Sequence, residues 1–174
     1  MPIRCRLTKV ANAPAVLTLV RSNGTRTTAR IGESGGDGPV HELAQFVVER
    51  ALGLTCGYLG LLGAGWTARE FDTPVAVRQS ETDVVLAECV ARQLSRDARS
   101  GAPQGLEIFN AKIAWAARRM HPDFEAPPLS EAQLTAMRLE LHDLRARWLA
   151  LPLGGTLDLT FTREGVPGGV TADA

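Results

Sequence analysis

Apolar and polar residues alternate along the first part of the chain, in the pattern of a half-buried β-sheet. Residues 3–7 alternate strictly, which predicts a strand with one buried face. Two more alternating segments flank Asn23-Gly24. Because both residues of an Asn-Gly pair tolerate positive φ, the pair predicts a type I′ turn between strands at 15–22 and 25–31. The three strands would form an antiparallel meander.

The register of this hairpin decides which side chains share a face of the sheet. A two-residue turn would pair Arg21 with Arg26, Leu19 with Thr28, and Leu17 with Arg30. The residues facing the core would then be Val16, Val20, Ala29 and Ile31. The outer face would carry five arginines, namely Arg4, Arg6, Arg21, Arg26 and Arg30.

The first helical pattern follows a glycine-rich loop. It predicts a helix over residues 39–52, with Pro39 in the first turn, Asp37 or Gly38 as the cap, and Gly53 as the end. The glycine-rich stretch after this helix predicts a short, broken helix.

Three more helices are predicted in the second half of the chain. The helix over residues 82–98, capped by Ser80 or Thr82, has as inward positions Val85, Leu86, Cys89, Val90 and Leu94. The helix over residues 106–120 aligns Leu106, Phe109, Ile113, Ala116 and Met120. After a capping box of Ser130 and Gln133, the helix over residues 131–151 repeats Leu134, Met137, Leu141, Leu144, Trp148 and Leu151.

Alternation returns at residues 157–161 and predicts a last strand beside the opening sheet. The whole pattern predicts an α+β fold, in which a small antiparallel sheet packs against about four helices. The sheet would consist of the N-terminal meander and the C-terminal strand. We expect a single domain over residues 1–163 and a flexible tail over residues 164–174.

Composition argues against several classes of protein. The formal net charge is 0 at pH 7, so no overall field attracts the chain to nucleic acid or to an anionic membrane. The three cysteines are scattered, which argues against a disulfide framework and a zinc knuckle. The uncharged stretch 51–68 is short for a membrane span and diluted by glycine. We expect a cytoplasmic protein without a signal peptide, a membrane partner or a cofactor.

The candidate functional site is the polar arc of the first helix. His41, Glu42, Gln45 and Glu49 fall within about 100° of one another around the helix axis. This spacing is that of the H-E-x-x-H helix of zinc hydrolases, except that Gln45 stands where the second imidazole would be. The candidate catalytic residues are His41, Glu42 and Glu49. The candidate ligand-binding residues are His41, Gln45, Glu49 and Trp66, and we expect the segment 57–66 to enclose His41 in part.

Two other interpretations of this arc stay open. A polar arc of this width is typical of any solvent-exposed helix. Alternatively, His41 and Glu49 could hold a metal together with His121 or His142. Because the amide oxygen of Gln45 is a poor zinc ligand, we expect no tightly held transition metal.

Most of the chain, including this helix, resembles a group of uncharacterised bacterial proteins. The residues that carry the resemblance are HELAQFVVE, ALGL, GYLGLLGAGW and the C-terminal LSEAQLTAMRLELHDLRARWLALPLGGTLDLTF. Members of that group typically show H-D-L-x-H-[FY]-x-V-E and then a glycine-rich segment ending in Ala-x-Gly-Trp. This chain departs from the pattern at Glu42, in place of Asp, and at Gln45, in place of the second His. The resemblance implies that residues 41–66 matter and names no activity.

Two other surfaces are candidates for binding partners. The arginines of the outer sheet face could meet phosphates or carboxylates. No aromatic residue is interleaved with them to stack bases, which argues against nucleic acid. The apolar stripe of the helix at 131–151 could join two copies into a homodimer, but it is short for a coiled coil and is better explained as part of the core.

These patterns leave three functional hypotheses. The first is a module, without catalysis or with a vestigial site, that binds a small ligand or a protein partner beside residues 41–66. The second is a metal-dependent hydrolase that uses His41, Glu42 and Glu49. The third is an anion or nucleic-acid binder that uses the arginines of the outer sheet face.

Overall fold

Four antiparallel strands form one sheet in the order β3-β2-β1-β4. The computed structural model describes residues 2–11, 15–31, 39–66 and 82–162. The strands are β1 (Pro2–Thr8), β2 (Ala15–Val20), β3 (Arg26–Ile31) and β4 (Thr156–Thr162). β1 pairs with both β2 and β4, so the N-terminal meander and the C-terminal strand share a sheet. This confirms the predicted α+β fold. The predicted tail, residues 164–174, lies outside the described residues.

Five helices belong to the described part of the chain. They are α1 (Val40–Leu52), α2 (Tyr58–Gly63), α3 (Thr82–Ser100), α4 (Leu106–Met120) and α5 (Glu131–Ala150). Gly53 ends α1 with a φ of 66°, and the capping box of Ser130 and Gln133 begins α5, both as predicted. The N-cap of α1 is Pro39, while Asp37, Gly38 and Ser80 lie outside the described residues. None of these helices combines the length and the apolar composition that crossing a bilayer requires.

The helices cover one face of the sheet, and α1 is the helix at the centre of the core. It contacts α2, α3, α5 and β4. Phe46 of α1 packs edge-on against Phe161 of β4, with ring centroids 6.5 Å apart. Ile3, Cys5 and Leu7 of β1 face the same core, as their alternation predicts.

The hairpin between β2 and β3 differs from the prediction. The Gly24 N–H donates to the Arg21 carbonyl oxygen and the Arg21 N–H donates to the Thr25 carbonyl oxygen, each at 2.9 Å. The β-turn therefore spans residues 21–24, and Gly24 follows the two central residues with a φ of 80°. The predicted type I′ turn is wrong, because the loop has three residues rather than two. Asn23 Oδ1 accepts a hydrogen bond from the Thr25 N–H at 3.0 Å, which favours this turn.

The longer loop shifts the register by one residue and changes which side chains share a face. The observed pairs are Val20–Arg26, Leu19–Thr27, Thr18–Thr28, Leu17–Ala29 and Val16–Arg30. Leu17 and Leu19 are therefore buried in the core. Val16 and Val20, which were predicted to face the core, lie on the outer face instead.

Arg21 is not part of the outer face, contrary to the prediction. Its Nε donates to the Leu62 carbonyl oxygen at 2.7 Å, and one terminal nitrogen donates to the Trp66 carbonyl oxygen at 3.1 Å. Arg21 therefore ties the hairpin to the C-terminal end of α2, where helix carbonyls have no partner within the helix. The outer face, called the arginine face below, keeps four exposed arginines, namely Arg4, Arg6, Arg26 and Arg30.

The apolar stripe of α5 packs inside the chain. Leu134, Met137, Leu141, Leu144 and Trp148 are all buried, and α5 contacts α1 and α3. The surface through which two copies were predicted to pair is thus already covered within one chain. The prediction that the stripe belongs to the core is confirmed.

Candidate functional site

The polar side of α1 is buried like its apolar side. Gln45 is 4% exposed and Glu49 is 0% exposed, while His41 and Glu42 are half-buried. The interpretation of this arc as a solvated surface is therefore wrong. The reason is that α2 and α3 both pack against α1 and cover its polar residues. Polar groups brought into a core need partners, so each of these side chains has to be accounted for.

Glu49 holds the beginning of α2. Its carboxylate accepts hydrogen bonds from the backbone N–H groups of Leu59 at 3.0 Å and Gly60 at 3.2 Å. The first N–H groups of a helix have no partner within the helix, and α2 has no side-chain cap of its own. Gln45 Nε2 also donates to Glu49 Oε1, at 2.9 Å. Burial raises the pKa of Glu49 to about 7, although these hydrogen bonds act in the opposite direction.

A cavity of about 380 Å³ lies beside this arrangement. Its walls come from α1 and α3, from the first residue of α2 and from the last residue of α4, and we call it the α1–α3 cavity. The lining residues are His41, Glu42, Gln45, Tyr58, Val84, Glu88, Arg92 and Met120. Small-molecule sites in proteins are concave, with apolar walls and a few convergent polar groups, and this cavity has both properties.

Glu88 joins His41 to Arg92 along one side of the cavity. His41 Nε2 lies 3.3 Å from Glu88 Oε2, and Arg92 Nε donates to Glu88 Oε1 at 3.1 Å. Burial would raise the pKa of Glu88, but its contacts with His41 and Arg92 lower it to about 2. Burial would lower the pKa of His41, but the Glu88 hydrogen bond and the charges of Glu88 and Glu42 raise it. Both shifts favour the charged imidazolium–carboxylate pair.

Two acceptors in the lining have no hydrogen-bond partner among the described residues. They are Glu42 Oε2 and Gln45 Oε1, and both atoms are buried. Burial also raises the pKa of Glu42. Most buried polar atoms in folded proteins have a partner, so these two acceptors are exceptions among the described residues.

The structure separates the predicted site residues into three places. His41, Glu42 and Gln45 line the cavity. Glu49 is turned toward α2 and does not line it. Trp66 lies at the far end of α2, where its carbonyl oxygen accepts from Arg21.

We expected the segment 57–66 to enclose His41 in part, but only one residue of this segment lines the cavity that His41 lines. Tyr58 of this segment lines the same cavity, but the direct partner of His41 is Glu88 of α3. The His41 side chain keeps 30% of its surface exposed.

The described residues contain no group of three or more His, Cys, Asp or Glu side chains placed to hold a metal ion. His121 packs edge-on against Phe124, and His142 lines a different cavity of about 240 Å³ beside α5. The mixed metal site of His41 and Glu49 with either of these histidines is therefore not assembled.

Sequence reasoning missed the residues of α3 and α4 that complete the cavity, namely Val84, Glu88, Arg92 and Met120. Glu88 and Arg92 are four residues apart on α3, which is the spacing of an ordinary ion pair on a helix surface. Nothing in that spacing distinguishes a pair at a cavity from a pair in solvent. The available signal was that Glu88 directly precedes Cys89, which was predicted to face inward.

The arginine face is exposed, and Arg6 is the one of its four arginines that forms a salt bridge within the described part of the chain. In the observed register, one row across the sheet contains Thr160, Arg4, Val20 and Arg26, and the next contains Asp158, Arg6, Thr18 and Thr28. Arg6 Nε donates to Asp158 Oδ1 at 2.7 Å, which lowers the pKa of Asp158. Binding of anions or nucleic acid by this face stays a prediction.

Comparison with known proteins adds no family to this picture. No protein-family model, curated protein or solved structure matches the chain. The resemblance of most of the chain to a group of uncharacterised bacterial proteins therefore stays a prediction, and functional inference has to start from the cavity.

Proposed function

We propose that this chain is a binding module for a small organic molecule that occupies the α1–α3 cavity. The observation that carries the proposal is a cavity of about 380 Å³ whose lining combines apolar side chains with the linked polar groups of His41, Glu88 and Arg92. Ligand cavities for small molecules commonly measure about 300–1,000 Å³.

The walls of the cavity also favour an organic ligand over an inorganic ion. Val84, Met120 and the ring of Tyr58 supply apolar surface to the cavity in addition to its polar groups. Burial of apolar ligand surface against such walls contributes about 25 cal/mol for each Å². The polar groups would then fix the orientation of the ligand.

The metal-dependent hydrolase alternative has less support. It requires Glu49 at the site, whereas the Glu49 carboxylate is bound by the backbone N–H groups of Leu59 and Gly60. Metal binding is treated as a separate prediction in the Discussion.

The proposal is tested by a fragment screen with ligand-observed NMR on the wild type and on Val84→Phe. The Val84 side chain lines the cavity, so a phenyl ring at this position would occupy part of its volume. We expect fragments that bind the wild type to lose binding in Val84→Phe and in Met120→Trp. The matched control is Ala146→Phe, which adds the same ring at an exposed position of α5 and should keep all binding.

Fragments that bind the wild type and both cavity variants equally would contradict the proposal. The same holds if no fragment binds the folded wild type. Circular dichroism of each variant verifies that the fold is kept.

A second candidate function is acid–base catalysis on the bound molecule. The observation that favours it is the contact of His41 Nε2 with Glu88 Oε2 at 3.3 Å, because a carboxylate that orients an imidazole is a common feature of acid–base sites, and the charged form of His41 could donate a proton. Hydrolysis of activated aryl esters by the wild type and by His41→Gln tests this candidate. Equal rates for the two proteins would exclude His41 as the proton donor in that reaction.

A further inference from the structure

The arginine face concentrates positive charge on a chain whose formal net charge is 0. The helices pack on the opposite face of the sheet, so the charged side chains of this face are exposed to solvent. Within the described strands, the charged residues of the face are Arg4, Arg6, Arg26, Arg30 and Asp158. Four arginines against one aspartate give the face a net charge of +3.

The aspartate neutralises one arginine and leaves the other three. Arg6 Nε donates to Asp158 Oδ1 at 2.7 Å, and Arg6 Nη2 donates to Asp158 Oδ2 at 3.1 Å. Among the described residues, Arg4, Arg26 and Arg30 form no salt bridge. These three guanidinium groups can therefore meet an anionic partner without giving up an existing ion pair.

The sheet register sets how the three arginines are spread. Arg4 and Arg26 lie in one row across the sheet, with Val20 of β2 between them. Because neighbouring strands are about 4.8 Å apart, their α-carbons are about 10 Å apart. Arg30 follows Arg26 by four residues along β3, which is about 13 Å in an extended strand. This spread fits a row of repeated negative charges better than one small anion.

The uncharged side chains of the face favour contact with phosphates. Five of them are threonines, namely Thr18, Thr28, Thr156, Thr160 and Thr162. Arginine and threonine are among the side chains that contact the phosphates of nucleic acids. No aromatic residue lies on the outer face of the described strands, so the face offers no platform on which a single strand could stack its bases. A duplex needs no such platform, because its bases stack on each other and its phosphates face outward.

We propose that the arginine face binds the phosphate backbone of double-stranded DNA without reading the base sequence. The face consists of strand side chains alone, so it has no helix or loop to enter a groove, where bases and the 2′-hydroxyl groups of duplex RNA are read. Three phosphate contacts give binding that is weak and sensitive to salt. This function is independent of the α1–α3 cavity, which helix residues line.

Fluorescence anisotropy with two labelled DNA duplexes of unrelated sequence tests the proposal. Each phosphate contact releases bound counterions, which contributes about −0.9 to the slope of log affinity against log salt concentration. With three contacts we expect a slope of about −3, and a loss of about fortyfold in affinity between about 50 and 200 mM salt. Both sequences should bind alike.

Two triple variants of equal net charge separate the face from the charge of the whole chain. The first removes the three arginines of the face that lack a salt bridge, through Arg4→Ala, Arg26→Ala and Arg30→Ala. It should bind at least about tenfold more weakly at low salt and lose most of the salt dependence. The matched control removes three exposed arginines of the helices, through Arg96→Ala, Arg118→Ala and Arg147→Ala, and should stay within about threefold of the wild type.

Asp158→Asn should strengthen binding. The substitution removes the carboxylate of the face and releases Arg6 as a fourth contact. We expect the affinity to rise by at least about threefold at low salt, and the salt slope to steepen by about 1.

Several outcomes would overturn the proposal. One is an equal loss of affinity in the two triple variants, because binding would then follow net charge rather than the face. Another is a wild type that does not bind the duplex at about 20 mM salt, where phosphate contacts are strongest. Tighter binding of single-stranded DNA or duplex RNA would contradict the choice of double-stranded DNA, and tighter binding of polyglutamate would assign the face to an acidic polypeptide. Circular dichroism of each variant verifies that the fold is kept.

Discussion

The Gly57 α-carbon lies against the carboxylate of Glu49, so closely that a Cβ at residue 57 would come within 2.6 Å of Glu49 Oε2. Gly57 is the N-cap of α2, and Glu49 accepts from the N–H groups of the first turn of that helix. The sequence therefore needs glycine at this position because a buried carboxylate occupies the space of a side chain. This contact fixes α2 against α1 and shapes one side of the cavity.

Gly57→Ala should destabilise the fold by about 1–3 kcal/mol, the usual cost of inserting an atom into a packed interior. The matched control is Gly105→Ala. Gly105 is the N-cap of α4, has a similar φ, and has nothing within 4 Å of its added Cβ. We expect the control to change the free energy of unfolding by less than about 0.5 kcal/mol. Urea denaturation measures both, and equal losses would show that the Glu49 contact does not constrain residue 57.

Glu49 should make stability depend on pH in a defined direction. Burial raises its pKa from 4.5 in the unfolded chain to about 7 in the fold. The folded protein thus keeps a proton that the unfolded chain has lost, so the contribution of Glu49 to stability is full below pH 4.5 and is lost as the pH rises through about 7.

The stability difference between wild type and Glu49→Gln isolates this effect. A pKa shift of one unit corresponds to about 1.4 kcal/mol. We therefore expect the wild type to lose about 2–4 kcal/mol of stability relative to Glu49→Gln as the pH rises across this window. Glu107 is exposed, so the stability difference between the wild type and Glu107→Gln should not depend on pH. If the stability difference between the wild type and Glu49→Gln is also independent of pH, the Glu49 carboxyl group has the same pKa in the folded and the unfolded protein.

Trp148→Ala should cost about 3–5 kcal/mol, because the ring is 4% exposed on the buried stripe of α5. Lys9 Nζ also lies 5.9 Å from the centre of that ring. The neighbouring Leu149 is 56% exposed, so Leu149→Ala should cost less than about 1 kcal/mol. Thermal and urea denaturation compare the two variants. A smaller loss for Trp148→Ala than for Leu149→Ala would contradict the packing described for α5.

Gln45→His should create a metal site that the wild type lacks. A histidine at this position could donate one ring N–H to Glu49, as metal-binding histidines commonly do to a carboxylate, and turn its other nitrogen toward the cavity. Together with His41 it would form a pair at the i, i+4 spacing of H-E-x-x-H helices.

Metal content by mass spectrometry after dialysis against zinc checks this prediction. We expect stoichiometric zinc in Gln45→His, little in the wild type, and little in the double variant that also carries His41→Ala. Stoichiometric zinc in the wild type would favour the metal-dependent hydrolase over the binding module. Equal zinc in the single and double variants would show that His41 is not a ligand.

The helical half of the fold could be predicted from the sequence because its signals are local. The stripe from Leu134 to Trp148 follows the helical period, and the capping box at Ser130 fixes where α5 begins. The hairpin was harder, because an Asn-Gly pair fits both a two-residue and a three-residue loop. The choice depends on the bond from Thr25 to Asn23 and on the tertiary bonds of Arg21 to α2, which the strand pattern does not contain.

The candidate site could be predicted only from the side of α1. His41, Glu42 and Gln45 stand out because they share one arc, and the structure places all three at one cavity. Their surroundings depend on how α3 packs across α1, which a single sequence does not specify. For the same reason Glu49 was assigned to the ligand site, whereas its neighbours in space are the backbone N–H groups of α2.

The most direct test of the central claim uses the methionine methyl groups of the wild type. Met120 lines the α1–α3 cavity, whereas Met137 of α5 is 0% exposed in the core. In protein with isotope-labelled methionine methyl groups, a fragment that binds the wild type and loses binding in Val84→Phe should, at saturation, shift the Met120 signal and give intermolecular nuclear Overhauser effects to that methyl group, with none to Met137. An unperturbed Met120 signal, with effects only to exposed side chains such as Leu139 or Leu153, would contradict the claim that this cavity receives a ligand.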